Sequence, residues 1–485
     1  MTVSRGILSV GAYVPRTRLQ RQAIYAANRW FAPGLKGAAK GEKAIANWDE
    51  DSITMAVEAS NDCLLAGPKG KPSSLVLAST SHPFSDRLNA AVVADALHWA
   101  PEIHTQDASG SMRAGTSALM AALGREAQQG TTMVVAAEHR QTKVASAQEM
   151  AYGDGAAALW VGEGEVVARY LGGCSESVDF VHSYRMAERS QDYGWEERWV
   201  REEGYLSIVP PVIAKALSQA GVQAAQVTHF CLPSTLPRVA SGVAKKAGIA
   251  DASVRDNLMS VCGDTGSAHA LLMLSHALQE AKAGDIVVVA AFGQGCDVLV
   301  FEVTPEVAKL GAAQGVNGYL QHKKPSEAYL RFLAFNGMVE MERGMRAETD
   351  RGTPLTSAYR NHEMLQGLVG GRCRACGTVQ YPKGRYCVEP TCKQLDSQEP
   401  HVFSRSRAQV VSYTADLLTY CPDPPAWYGM IQFEEGGRML IDFSEVEQVE
   451  VGDTMRMAFR IKDQDPLRGY QRYFWKAVPL ATTKG

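Results

Sequence analysis

The sequence predicts an α/β protein: a duplicated, five-layer α-β-α-β-α body followed by a small β-rich module. Three observations predict it. Hydrophobic strand patterns recur at a fixed offset, the helices between them are built largely of small residues, and a four-cysteine cluster divides the chain near residue 373. At 485 residues the chain is too long for one ordinary domain and long enough to bury a large core.

The repeat comes first. Met133-Val-Val-Ala-Ala-Glu138 is echoed by Val287-Val-Val-Ala-Ala-Phe292, an offset of 154 residues (287 − 133), and Leu75–Thr80 corresponds to His229–Ser234 at the same offset. Continuous β-branched runs alternating with helices indicate parallel-rich sheets covered on both faces. Ser111 to Leu123 and Thr265 to Leu278 are Gly/Ala/Ser-rich and apolar on nearly every side, so both are expected buried all round, sandwiched between two sheets. Each half closes with a Gly-x-Gly turn, Gly153-Asp-Gly155 and Gly293-Gln-Gly295, before a hydrophobic strand. The expected boundaries are 1–170 and 171–305 for the two halves. A helical connector follows at 306–365, with a helix starting at Pro325-Ser326 whose apolar side carries Tyr329, Leu330, Leu333 and Phe335.

Cys373-Arg-Ala-Cys376, followed by Cys387 and Cys392, supplies two pairs of thiolates from two tight turns, the spacing of a structural zinc ribbon, expected over 366–400. Two disulfides are the competing reading, which a chain without an export signal rarely keeps. From 401 to 485 five short alternating segments begin at Ala408, Tyr428, Arg438, Met455 and Tyr473, and predict a small barrel of the OB type. OB barrels often hold single-stranded nucleic acid, but ten Lys/Arg against eleven Asp/Glu from residue 401 onward give no basic groove. A lid or docking role is the expectation, with Trp427, Tyr428, Tyr473 and Trp475 at that interface or in the barrel core.

Composition excludes several classes. A net charge of −3 without a basic run argues against nucleic acid and anionic membranes, and apolar runs such as Ile286–Phe292 are far too short to span a bilayer. The N-terminus lacks a charged-then-apolar export pattern, and ten cysteines, six of them scattered, fit a reducing cytoplasm.

Ser79-Thr-Ser-His-Pro-Phe84, Asp107 through Ala-Gly-Thr116, Ser177-Val-Asp-Phe180, Gly263-Asp-Thr-Gly266 and Phe292-Gly-Gln-Gly295 give residues 1–305 a resemblance to the thiolase superfamily, within it the 3-hydroxy-3-methylglutaryl-CoA synthase branch. The C-terminal part resembles the zinc-ribbon/OB module that accompanies many thiolase-like enzymes. The resemblance implies an acyl-CoA or related thioester as substrate, a homodimer, and covalent catalysis by a cysteine at a buried helix N-terminus, where dipole and imidazole favour the thiolate. It also implies that the four functional side chains have changed. Met112 stands at the cysteine, Thr80 at the glutamate, Cys231 at the histidine and Asp264 at the asparagine. A thioether cannot be acylated and turned over, and threonine is no base near neutral pH.

Residual chemistry is expected around Cys231 and Asp264, which the resemblance brings into one pocket with Met112. Cys231 is a nucleophile or an inert buried thiol; Asp264 is a general base whose pKa desolvation raises, or a turn cap. Ser111 opens the buried helix as cap or nucleophile, and His82, on a loop with Asp86, is a relocated acid/base or a plain loop histidine. Gly293 and Gly295 are expected to aim a backbone N–H at the thioester oxygen; Cys262 and Cys296 pack as small apolar groups. Three functions stay open: a Claisen-type acyltransferase or synthase with a rearranged site, a retro-aldol lyase on a β-hydroxyacyl-CoA that needs no acyl-enzyme, and a non-catalytic scaffold subunit.

Overall fold

A computed structural model describes residues 4–99, 101–126, 128, 130–345, 352 and 354–480. The chain divides into two compact units. The first comprises residues 1–47, 51–91 and 102–338; the second comprises 339–485 with the short segments 48–50 and 92–101.

The first unit is the duplicated body. Its elements, in chain order, are β1 (Ser4–Tyr13), α1 (Ser52–Ala66), β2 (Ser74–Ala78), β3 (His104–Ala108), α2 (Ala114–Leu123), β4 (Thr132–Glu138), β5 (Gly155–Gly164), β6 (Ala168–Ser177), α3 (Leu206–Ala220), β7 (His229–Cys231), α4 (Val239–Ala247), α5 (His269–Glu280), β8 (Ile286–Phe292) and β9 (Gly295–Val303). The first half orders its strands β1-β5-β4-β2-β3 and the second β6-β9-β8-β7, with Val254 bridging Phe230 where β3 pairs in the first half. The repeat is therefore topological as well as sequential. Even α1 and α3 are each 15 residues long and start 154 positions apart (206 − 52).

The sheets of the two halves join: β1 and β6 pair at Gly6–Arg169 and Ile7–Ala168, making one nine-stranded sheet that turns back over the central helices. Gly6 permits this, since a Cβ there would strike the Ala168 carbonyl. The layers otherwise follow the duplicated plan. α2 and α5 touch strands of both halves, α1 covers the outer face of the first, and α3 with α4 covers the outer face of the second around a core of its own. Small residues in α2 answer to this crowding. A Cβ on Gly115 would lie 2.5 Å from the Ser267 carbonyl oxygen, where α2 passes the turn leading into α5.

The segment expected as a connector is divided. Through residue 338 it belongs to the first unit. Pro325-Ser326 does not start a helix: Lys324–Ser326 is a strand pairing in parallel with Thr17–Leu19, and the helix runs Tyr329–Phe335, burying Phe332 and Leu333 while Leu330 faces outward.

In the second unit, β10 (Val369–Cys373), β11 (Val379–Gln380) and β12 (Gln398–Val402) form a three-stranded sheet around the cysteine turns. Beyond it, β13 (Arg407–Asp416), β14 (Ala426–Phe433), β15 (Arg438–Asp442), β16 (Thr454–Asp465) and β17 (Tyr470–Pro479) form an antiparallel sheet of order β15-β14-β13-β16-β17. All five lie where alternation placed them. The expected barrel is not closed, however: its edge strands meet only through the parallel bridge Phe443–Ala477.

Candidate functional site

Parallel strands aim their carboxyl ends at one crevice, where α/β folds commonly bind ligands. Here that end gathers Ser79 and Thr80 after β2, Glu138 to Arg140 at the end of β4, the turn 111–113 before α2, the turn 263–266 before α5, and the turn between β8 and β9. Packing fixes these turns. Arg113, at the N-terminus of α2, donates from Nε to the Gly293 carbonyl at 2.9 Å and from Nη1 to Asp297 at 2.7 Å. Fully buried Asp297 also accepts from Thr116 at 3.0 Å, Ser117 at 2.6 Å and Ser175 at 2.6 Å.

Glu138 is fully buried, yet its carboxylate is satisfied on every side. It accepts from Ser79 Oγ at 2.9 Å, Thr80 Oγ1 at 2.7 Å, Ser267 Oγ at 3.1 Å and the Thr80 amide. Arg140 lies beside it, its side chain only 2% exposed, with Nε 3.6 Å from Glu138. Its Nη2 donates to the Asp264 carbonyl at 2.7 Å and carboxylate at 2.9 Å, and its guanidinium stacks 3.6 Å over the Tyr152 ring. Among the described residues two of its donors lack an oxygen: Nε has no hydrogen-bond partner, and Nη1 meets the Met112 Sδ at 3.5 Å. Burial alone would push Arg140 down, but Asp264, Tyr152 and Glu138 outweigh it and hold the cation well above its ordinary value.

Met112, Thr80 and Asp264 are thus brought together, by way of Glu138 and Arg140. Cys231 is not. Its thiol is fully buried in the apolar core, with the Met273 carbonyl 3.7 Å away as its hydrogen-bond partner, and burial pushes its pKa up to about 12. Among the described residues no base stands among its contacts, so it fits the inert small apolar group rather than the nucleophile. Cys262 and Cys296 are likewise buried with raised pKa values, as packing groups should be.

Three more expectations are corrected. The Asp264 pKa is not raised by desolvation, and its Oδ1 accepts from the Gly266 amide at 3.1 Å, as the turn-cap alternative expects. Burial does push the pKa up, but the charges of Arg140 and His269, with the Gly266 amide, hold it below the ordinary carboxylate range. Ser111 does not open a helix, because α2 begins at Ala114; its Oγ donates to the Gly293 carbonyl at 2.8 Å and accepts from the Arg113 amide at 3.3 Å, closing a turn. The Gly293 N–H is not aimed at a ligand, since it donates to the Gly295 carbonyl at 3.0 Å. Both glycines answer to close approach instead: a Cβ on Gly293 would meet Ser111 Oγ at 2.7 Å, and Gly295, at φ +113°, presses on the Glu176 carbonyl. His82 has Nε2 3.4 Å from the Ala108 carbonyl.

Sequence reasoning passed over Glu138, Arg140, Tyr152 and His182. A signal for the first two was available. Glu138-His-Arg140 is a titratable run placed directly after an uninterrupted apolar strand, at the carboxyl end where sites form.

In the second unit, Cys373, Cys376, Cys387 and Cys392 bring their sulfurs within 4.8 Å of one another. The pairs Cys373–Cys392 and Cys376–Cys387 are 3.8 and 3.5 Å apart. These are not disulfides. A tetrahedral Zn2+ with Zn–S of about 2.3 Å needs sulfurs about 3.8 Å apart, so the residues fit that ion.

Comparison with known proteins agrees with both halves of this picture. Residues 217–300 match the family described as the C-terminal domain of 3-oxoacyl-[acyl-carrier-protein] synthase III, and residues 361–396 match the ChsH2 rubredoxin-like zinc ribbon domain. The chain is 27% identical over 330 residues to a hydroxymethylglutaryl-CoA synthase of Pyrococcus furiosus, spanning 66% of this chain and 92% of the relative. Over 335 residues it is 28% identical to one of Aeropyrum pernix, spanning 66% and 91%. Among solved structures, MvaS in complex with 3-hydroxy-3-methylglutaryl coenzyme A superposes with a TM-score of 0.58 at 18% identity, covering 70% of this chain and 93% of its own. The 3-oxoacyl-(acyl carrier protein) synthase III of Pseudomonas aeruginosa PAO1 does so at 0.55 and 19%, covering 62% and 98%. The body is a thiolase-like α/β fold, and the C-terminal unit carries a zinc ribbon. Among the described residues no helix is long and apolar enough to cross a membrane.

Proposed function

We propose that the body binds an acyl-CoA or related thioester and makes or breaks the carbon–carbon bond of a β-hydroxyacyl thioester by aldol chemistry, without an acyl-enzyme. The observation that carries this is the Arg140 guanidinium. It is buried, held cationic, and directs Nη1 at the Met112 side chain with no oxygen acceptor among the described residues. In a water-poor site such a donor serves an oxygen on which negative charge develops. A thioester carbonyl turning into an enolate is that oxygen. Met112 is an unbranched, flexible thioether, suited to stand over the guanidinium when free and to swing aside for a ligand.

Claisen-type acyl transfer by way of an acyl-enzyme needs a side chain that carries the acyl group. Met112 cannot carry it, and Cys231 is sealed in the core with its pKa pushed up to about 12. Retro-aldol cleavage asks for less: a proton leaves the β-hydroxyl, the Cα–Cβ bond breaks, and its electron pair enters the thioester as an enolate. Glu138 and Asp264 hold Arg140 in place for that moment. The zinc ribbon serves the second unit's structure and takes no part in these steps.

Intact-mass and product analysis after incubation with a panel of β-hydroxyacyl-CoA thioesters tests this. Cleavage to an acyl-CoA and a carbonyl compound is expected, with no mass added to the protein and no loss of rate in Cys231→Ala. A stable acyl adduct would support acyl transfer instead. Neither binding nor turnover of any thioester would leave a scaffold subunit.

A further inference from the structure

The aldol reading leaves one role unassigned, the group that takes the proton from the β-hydroxyl and returns it to the enolate. Asp264 is locked to Arg140 and held below the carboxylate range, and Glu138 is saturated by four donors. Three other histidines lie near the crevice. His269 uses both nitrogens, with the Thr265 amide at 2.9 Å and the Asn257 carbonyl at 2.7 Å. His139 pairs with Asp154 at 3.2 Å, and His82 has Nε2 3.4 Å from the Ala108 carbonyl, with its buried Nδ1 unpartnered among the described residues; it lacks the ties to the β8–β9 turn that His182 has.

We propose that His182 is the proton-transferring residue, delivered to the site by the segment 178–199. This rests on the aldol reading and adds to it the identity of the acid/base. The segment is tied to the crevice on both sides of the histidine. The Val178 amide donates to the Gln294 carbonyl at 3.1 Å, Gln294 Nε2 donates to the Ser183 carbonyl at 3.4 Å, and Arg185 donates to the Thr80 carbonyl. The His182 ring is therefore pinned between the β8–β9 turn and the end of β2. It packs on Phe292 with centroids 5.1 Å apart, and among the described residues its buried Nδ1 makes no well-aligned hydrogen bond, the ring interacting with the Phe180 backbone carbonyl.

The charges facing it come from several elements. Asp264 is paired to Arg140 on the α5 side, and Asp192, paired to Arg185 at 2.7 Å, lies on the far side of its own segment near Tyr152. Burial, the largest influence, lowers the His182 pKa, while the Phe180 carbonyl, Asp264 and Asp192 raise it. The ring is thus neutral near pH 7 and can accept a proton. In the cleavage direction the imidazole takes the β-hydroxyl proton as the O–H pair becomes the new C=O and Cα–Cβ breaks. The resulting enolate then takes that proton at Cα, so acid and base are restored.

The second half of this exchange can be read without knowing the natural acyl group. Butyryl-CoA incubated with the full-length protein in D2O should acquire deuterium at Cα, measured by mass spectrometry, at a rate that rises with pH to a plateau through an imidazole pKa. In His182→Gln and His182→Ala the rate should fall about 100-fold or more and the inflection should vanish. Butyryl-CoA binding, read by tryptophan fluorescence, and the melting temperature should stay near wild type. Exchange with wild-type rate and pH profile in both variants overturns the assignment and leaves the aldol reading standing. A wild-type protein that neither binds nor exchanges the thioester overturns the aldol reading, and this assignment with it.

Discussion

Arg140→Met is expected to destabilise the body by about 3–5 kcal/mol, the cost of breaking a buried ion pair by removing one partner. The substitution strands two carboxylates. Glu138 is fully buried and Asp264 is 18% exposed, and Arg140 is the cation that faces both. A methionine fills the volume but not the charge, so urea melts should shift by most of the protein's marginal stability. The pH dependence gives a second readout. In the wild type the Asp264 pKa is depressed, so its contribution is fully present above its ordinary value of 3.8 and is lost as pH falls through the lower folded value. Without Arg140 the strongest opposing charge is gone and desolvation raises that pKa. The variant should then lose less stability in acid and more as pH rises past about 4. Arg140→Met/Asp264→Asn should recover part of the loss. A single variant melting with the wild type at every pH would mean that the buried network is not held by charge.

Removing the metal is the second large effect. The ribbon strands β10, β11 and β12 are short, and between Val369 and Gln398 the buried apolar side chains are Val369, Val379 and two of the cysteines themselves. A core this small does not hold itself together. Zinc binding in isolated finger peptides is worth about 10–16 kcal/mol near neutral pH, which no other contact in the ribbon replaces. Chelation, or Cys387→Ser, is expected to abolish hydrogen-exchange protection in the ribbon and to weaken it in the adjoining sheet β13–β17. Protection in β4 and β8 should persist, because the body has its own two cores. Collapse of β4 and β8 on chelation would show that the body depends on the metal.

The elements that periodicity could find were found. β4 and β8 are continuous buried runs, and the repeat at 154 residues predicted the second half from the first. β14, β15 and the start of β13 alternate buried with more exposed positions, which alternation in the sequence reports directly, while β16 and β17 carry continuous buried runs at 457–461 and 475–478. What periodicity does not report has physical causes. Pairing of β1 with β6 rests on a glycine's missing side chain at Gly6, which leaves no pattern in hydrophobicity. Cys231 occupies a functional position by resemblance; its full burial, with a backbone carbonyl as its hydrogen-bond partner, is a tertiary fact. Asp264 lies beside Arg140, and the direction of its pKa shift was not legible because it depends on Arg140, 124 residues away. His182 lies in an irregular segment with no period to read, and only the ties of Gln294 and Arg185 bring it to the crevice. The zinc ligands were legible from spacing alone because thiolate geometry is local.

The account turns on one contact, between Arg140 and the oxygen of a bound thioester. A crystal structure of the full chain with a non-reactive CoA thioether or ester analogue of a β-hydroxyacyl-CoA would test it most directly. The expected result is the acyl oxygen within about 3.2 Å of Arg140 Nη1, with Met112 displaced and every cysteine of the body unmodified. An acyl group seated elsewhere, with Met112 still covering Arg140, would contradict the proposed chemistry.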